Sequence, residues 1–178
     1  MKLWLLDADI IIDFLSLDVL DALAAHHEVF ASSTVIDEIK FFRRGDKKYG
    51  INFRRHYIVS NIIKELSATP DETKETLLKL PQIFRDTLDA GELESLAILS
   101  RRRDLIFCSC DAAAIRTLPF LDLSDRGISA EKLMKDSGLP RKGLKPNHTD
   151  EYFISNLKKG QEEKIYSFKT QKQKRRNP

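Results

Sequence analysis

Only two cysteines, Cys108 and Cys110, occur in the 178 residues. Two positions apart on a strand they share a face with parallel side chains, which suits no local disulfide, and two thiols are too few for a zinc site. They read as small buried apolar residues in a reducing compartment. Long apolar runs are missing too. The opening stretch Leu3 to Leu6 is cut short by Asp7, Asp9 and Asp13. That excludes a signal-peptide core, and nothing approaches the roughly 20 residues that span a bilayer. A cytoplasmic protein without a membrane partner is expected. The four histidines, His26, His27, His56 and His148, form no ligand spacing and offer no evident general base. Acid is absent from the end of the chain: Lys164 to Pro178 carries six Lys/Arg and no Asp or Glu. The net charge of +3 therefore divides into a slightly acidic body and a basic tail, and such a tail suits polyanions.

What is present suffices for a folded core, with 42% hydrophobic residues. Lys2 to Leu6 reads as a buried parallel strand, and Ile10 to Leu23 as an apolar helix face ending near His26. Glu28 to Ala31 is a second strand, and Ser32-Ser33-Thr34 caps a helix carrying Val35, Ile36, Ile39 and Phe42. Arg43 to Arg55 is basic and punctuated by Gly45 and Gly50, so a loop is expected, followed by a short strand at Tyr57-Ile58-Val59. Pro70 opens a helix, or a pair, running to about Thr87. Asp89 opens another as far as Arg103, and Leu105 to Cys110 is the best interior strand after the first. A helix at 112–117, a strand at 120–123 and helices at 129–136 and from Thr149 complete the pattern, with order fading beyond about Gly160. Alternation of this kind predicts an α/β fold, with helices covering a central parallel sheet. The expected organisation is a body over 1–138 and an extension over 139–178 with one helix and a disordered basic tail.

Functional groups in open α/β sheets gather beyond the carboxyl ends of the strands. Two clear strands end directly on acids, Leu6 on Asp7 and Cys110 on Asp111. Glu92 opens a helix, and Glu38 is one turn into the helix after the second strand. Clustered carboxylates are costly without a counter-charge. Hard divalent cations relieve that cost and suit phosphoryl chemistry. Each acid also has a plainer reading. Asp9 serves equally as the N-cap of the first helix or as a site acid, and Asp13 reads as a supporting or solvated residue. Asp37 and Glu38 are adjacent, so one of them meets solvent. Asp89 with Glu92 fits a capping box, and Asp111 is placed to cap its own helix.

Four blocks occur in order: Leu5-Leu6-Asp7-Ala8-Asp9-Ile10, Thr34-Val35-Ile36-Asp37-Glu38-Ile39, Gly91-Glu92-Leu93-Glu94-Ser95-Leu96-Ala97 and Cys110-Asp111-Ala112-Ala113-Ala114-Ile115-Arg116. Together they resemble the acidic blocks of PIN-domain nucleases over roughly residues 2 to 138. The resemblance implies a three-layer α/β/α sandwich and a ribonuclease dependent on Mg²⁺ or Mn²⁺. It makes Asp7, Glu38, Glu92 and Asp111 the catalytic acids, with Asp7, Glu92, Asp111 and Asp9 toward the metal. Arg116 matches an arginine expected to touch phosphate or to hold Asp111. Many small members are toxins, which implies an antitoxin protein as partner, and a second copy of the chain is a further expected partner. The chain is longer than those toxins, however, and nothing in the family's pattern corresponds to the extension after Leu139.

Basic residues including Arg43, Arg44, Lys47 and Lys48 follow Glu38 with Phe41, Phe42 and Tyr49 among them. That mixture suits phosphate contact and base stacking on single-stranded RNA. Two other readings stay open. A strand followed by Asp-x-Asp also resembles phosphatases of the haloacid dehalogenase type, although Asp111 lacks the second acid expected beside it. A non-catalytic RNA-binding module on the same fold is the other.

Overall fold

The structure, a computed structural model, describes residues 3–176, with side chains for 3–169. Strand β1 (Leu3–Leu6) leads into helices α1 (Ala8–Ser16) and α2 (Leu20–His26), and β2 (Glu28–Ser32) into α3 (Ser33–Glu38). A hairpin of β3 (Phe41–Arg44) and β4 (Lys47–Gly50) follows, then β5 (Lys64–Leu66), α4 (Pro70–Lys79), α5 (Gln82–Arg85) and α6 (Ala90–Arg101). Strand β6 (Ile106–Cys108), α7 (Ala112–Thr117), β7 (Gly127–Ile128), α8 (Ala130–Asp136) and the long α9 (Asp150–Arg176) complete the chain.

Five strands form one sheet in the order β5-β2-β1-β6-β7, and every pairing in it is parallel. Side chains alternate across it. Trp4 and Leu6 enter a core with α1, α2, α3 and α8, whereas Leu5, Phe30 and Phe107 enter one with α6, α7 and α9. Helices thus cover both faces in three layers, as the sequence predicts. Cys108 and Cys110 are free, buried and in the same core, also as expected. Among the described residues no helix is long and apolar enough to cross a membrane.

Several local expectations are corrected. The helix foreseen from Ile10 to His26 is broken between Ser16 and Leu20, where Asp18 takes a left-handed φ of 60°. The basic stretch expected as a loop is an antiparallel hairpin that turns at Gly45, φ 57°. Its cross-strand pair Phe42 and Tyr49 stacks at 5.5 Å, and the Lys48 ammonium lies 3.6 Å over the Phe41 ring. Charged residues disguise strands because they are depleted there; here aromatic pairing supplies the stability. Tyr57 and Ile58 lie in a wide helical turn, Arg54–Ile58, instead of a strand. The strand foreseen at 120–123 is replaced by a 3₁₀ turn, Leu118–Leu121, closed by left-handed Asp122. The fifth sheet strand is β7, two residues long and too short to show a sequence period.

The extension is part of the same body. Phe153 is buried in the second core, and a Cβ at Gly127 would collide with its ring. At Gly160 a Cβ would strike the Arg116 carbonyl, so glycine lets α9 cross α7 with the backbones in contact. Contacts continue past Gly160: Glu163 pairs with Arg116, and Lys164 donates to the Pro119 carbonyl at 2.7 Å and pairs with Asp122. The basic side chains beyond Lys169 lie outside the described residues.

Candidate functional site

Strand order reverses at β1 and β6: β2 and β5 lie to one side of that pair and β7 to the other. Beyond the carboxyl ends of such a pair the connecting segments diverge and leave a crevice. The side chains that follow β1 and β6 therefore line it.

Asp7 directly follows β1. Its N–H extends the ladder to the Cys108 carbonyl at 3.1 Å. Its carboxylate caps α1, with Oδ1 accepting from the Ala8 N–H at 2.8 Å and Oδ2 from the Ser109 hydroxyl at 2.8 Å. The Ser109 oxygen in turn accepts the Asp111 N–H at 3.1 Å. Buried Ser109 thereby ties the two strand-end acids together. Asp111 caps α7 through Oδ1 alone, accepting from Ala113 and Ala114 N–H at 2.6 and 2.9 Å. Its other oxygen has no hydrogen bond among the described residues.

Asp89 and Glu92 open α6 as a reciprocal capping box, with Glu92 N–H to Asp89 Oδ1 at 2.8 Å and Asp89 N–H to Glu92 Oε2 at 3.0 Å. Glu38, the last residue of α3, reaches the same turn. A Cβ at Gly91 would stand 3.2 Å from both Glu38 carboxylate oxygens. Glycine beside Glu92 thus leaves room for a second acid. Asp37 turns away to Arg54 at 3.0 Å, and both adjacent acids are exposed, against the expectation that only one of them meets solvent.

Electrostatics bind these groups into one unit. Burial pushes the Asp7 carboxyl up to about 7 against the pull of Ser109 and Ala8, and Asp89 and Asp9 push it further. Burial likewise raises Glu92 to about 9, with Asp111, Asp7 and Asp89 adding repulsion. Glu38 is raised by burial, then by Asp89 and Asp9. Among the described residues none of these six carboxyls is in an ion pair. Nor do three His, Cys, Asp or Glu side chains there converge tightly enough to cage one metal ion. The donors are all hard oxygens, which suits a cation held by one or two carboxylates with water completing its shell.

The expected acids Asp7, Asp9, Glu38, Glu92 and Asp111 are therefore brought to one end of the sheet. Asp9 is not the N-cap; Asp7 is, and Asp9 stands exposed in the first turn. At Asp7, Glu92 and Asp111 the carboxylate that caps a helix also stands in the candidate cluster. Two residues of the candidate cluster were missed: Asp89, read only as a cap, and Ser109, whose signal was a hydroxyl between two buried thiols and two residues before an acid.

The expected basic residues lie elsewhere. Arg43 N–H donates to Ser16 Oγ at 3.3 Å, and Arg44 reaches the Leu15 carbonyl at 3.4 Å and Asp18 at 2.6 Å. They sit at the far end of α1, about 12 Å along its axis from Asp7. Lys47 and Lys48 are exposed on the other hairpin strand. Arg116 engages Glu163 through Nε and Nη2 and lies 5.4 Å over the Phe84 ring. Asp13 is neither solvated nor loose. It accepts from Lys145 Nζ at 2.6 and 2.7 Å, and lies 2.8 Å from His148 Nε2. The Lys145 N–H donates to His148 Nδ1, so Nε2 carries the proton facing Asp13.

Compared with protein-family models, curated proteins and solved structures, the chain finds no match in any of the three.

Proposed function

We propose that the protein is a divalent-cation-dependent endoribonuclease of the PIN type. The observation that carries this reading is the set of six carboxyls gathered at the strand-order reversal, two of them buried, with no cationic side chain among the described residues paired to them. Burying acid without a counter-charge is costly. A Mg²⁺ or Mn²⁺ ion taken by one or two of Asp7, Glu92, Asp111 and Asp9, with water completing its shell and Glu38 at its margin, would offset that cost. When bound, the cation supplies Lewis acidity toward a phosphodiester and its attacking water.

The chain's own groups do the rest. Ser109 and the Ala8 amide fix the two Asp7 oxygens, and the first-turn amides of α7 fix one oxygen of Asp111 and leave the other for the site. Asp9 and Glu38 are exposed and can take a proton from water. Partners under this reading are RNA, an antitoxin protein if the chain is a toxin, and a second copy of the chain.

The test is cleavage of a 5′-labelled single-stranded RNA in Mn²⁺, with wild type, Asp7→Asn and Asp111→Asn side by side. Internal cuts lost in both variants support the reading. Turnover of a chromogenic phosphate monoester without RNA cleavage would make the protein a phosphatase. Growth arrest by wild type but not Asp7→Asn on overexpression tests the toxin role.

A further inference from the structure

A groove of about 710 Å³ runs between α7 and α9, away from the acids. It starts at Ala112, next to Asp111, and passes Tyr152, Ser155 and Asn156 to reach Arg116 and Lys159. One wall belongs to the extension, which none of the four acid blocks includes.

Position and chemistry both bear on what lies in it. The Tyr152 phenol is pushed up by burial and then by the Asp111 carboxylate, so this ring lies within electrostatic reach of the site acid. Tyr152 is half-buried, which offers an anchored ring without hiding it. Ser155 follows on the same helix with an exposed hydroxyl, while buried Asn156 gives its Nδ2 to the Tyr152 carbonyl at 3.0 Å. At the far end Arg116 uses Nε and Nη2 on Glu163, leaving Nη1 outside that pair, and Lys159 is exposed. Glu151 also lines the groove and limits its positive charge, so the groove is not a general polyanion track. An aromatic platform next to the acids, with a neutral hydroxyl and then cations, matches the base-and-phosphate alternation of an unpaired nucleic acid strand.

We infer that the α7–α9 groove holds the single-stranded RNA segment flanking the cleavage point, with a base stacked on Tyr152 and a phosphate at Lys159 and Arg116. This rests on the ribonuclease reading for what happens at Asp111, but binding can be measured without cleavage. The groove also gives the extension a role: it lengthens the substrate track on the side opposite the hairpin.

The experiment is fluorescence anisotropy of a labelled eight-nucleotide single-stranded RNA on the full chain in EDTA, with a duplex of the same sequence as comparison. Wild type should bind the single strand more tightly than the duplex. Tyr152→Ala should weaken binding about five- to fiftyfold, whereas Tyr152→Phe, which keeps the ring, should stay within about twofold. Lys159→Gln, an exposed change, should lower the slope of log Kd against log salt by about 0.7. Wild-type affinity and slope in both Tyr152→Ala and Lys159→Gln would overturn the inference, as would preference for the duplex or no binding at all. Intact, groove-dependent binding without cleavage in Mn²⁺ would sink the nuclease reading and leave the groove standing.

Discussion

Two buried aspartates six residues apart on one helix behave in opposite ways. Burial raises the Asp13 carboxyl, but His148 and Lys145 overcome that and hold it below the usual carboxylate range. Burial raises Asp7 to about 7, and its charged neighbours make matters worse. The same fold thus neutralises one acid with a dedicated strap, residues 145–148 of the extension, and gathers acids around the other. Where an acid is only structural, the chain supplies its counter-ion. Under the proposed reading, that difference marks the cluster at β1 and β6 as the place where an external cation would bind.

Breaking the Asp7 side should have the largest effect. Asp7→Asn and Asp111→Asn should each reduce Mn²⁺-supported RNA cleavage by more than the roughly 10–100-fold typical of losing an outer-shell partner. In metal-free buffer at pH 8 the Asp7→Asn melting midpoint should be unchanged or higher, because repulsion is relieved. Asp13→Ala should do the reverse. It strands buried His148 and a lysine, and should cost about 2–3 kcal/mol of stability in urea unfolding while leaving the acid cluster in place.

The two sides should also respond to pH with opposite sign. Asp7 at about 7 and Glu92 at about 9 hold protons in the folded state that the unfolded chain has released. Their contribution is complete below about pH 4 and is lost as pH rises through 7 to 9. Asp13, held low, contributes above the ordinary carboxylate range and loses its contribution as pH falls through its depressed value. Thermal melts of metal-free protein should therefore decline from pH 5 to 9 in wild type, and the Asp7→Asn/Glu92→Gln double variant should flatten that decline.

Smaller changes refine the comparison. Ser109→Ala removes the hydroxyl joining Asp7 to Asp111 and should lower cleavage about tenfold, with a loss of about 1–3 kcal/mol in unfolding for the partners left unpaired. Gly91→Ala adds a methyl 3.2 Å from the Glu38 oxygens and should cost a few-fold in cleavage, because that carboxylate must shift.

Much of this architecture was legible in the sequence because it is local. The apolar strands, the Ser and Thr caps and the acids at strand ends are read within a few residues. The Asp13 strap was not legible, because its partners are 132 and 135 positions away and nothing local marks His148 or Lys145 as belonging to α1. The hairpin hid behind its charges, since cross-strand stacking of Phe42 on Tyr49 is invisible until the strands pair. Asp89 was set aside because a capping box explains it fully at short range. Only the folded packing of α3 against α6 shows that it also faces Glu38.

The central claim, that the cluster at β1 and β6 awaits a hard cation, is tested most directly by thermal unfolding at pH 7.5 during Mn²⁺ titration. A ligand that binds only the folded state stabilises it by RT ln(1 + [L]/Kd), about 2.7 kcal/mol at a hundredfold excess over Kd. For a chain of this size that is a rise of roughly 5–10 °C. The account predicts such a rise in wild type and its loss in Asp7→Asn/Glu92→Gln, with Asp13→Asn still responding. A wild-type midpoint that does not move with Mn²⁺ or Mg²⁺, or that moves equally in the double variant, would contradict it.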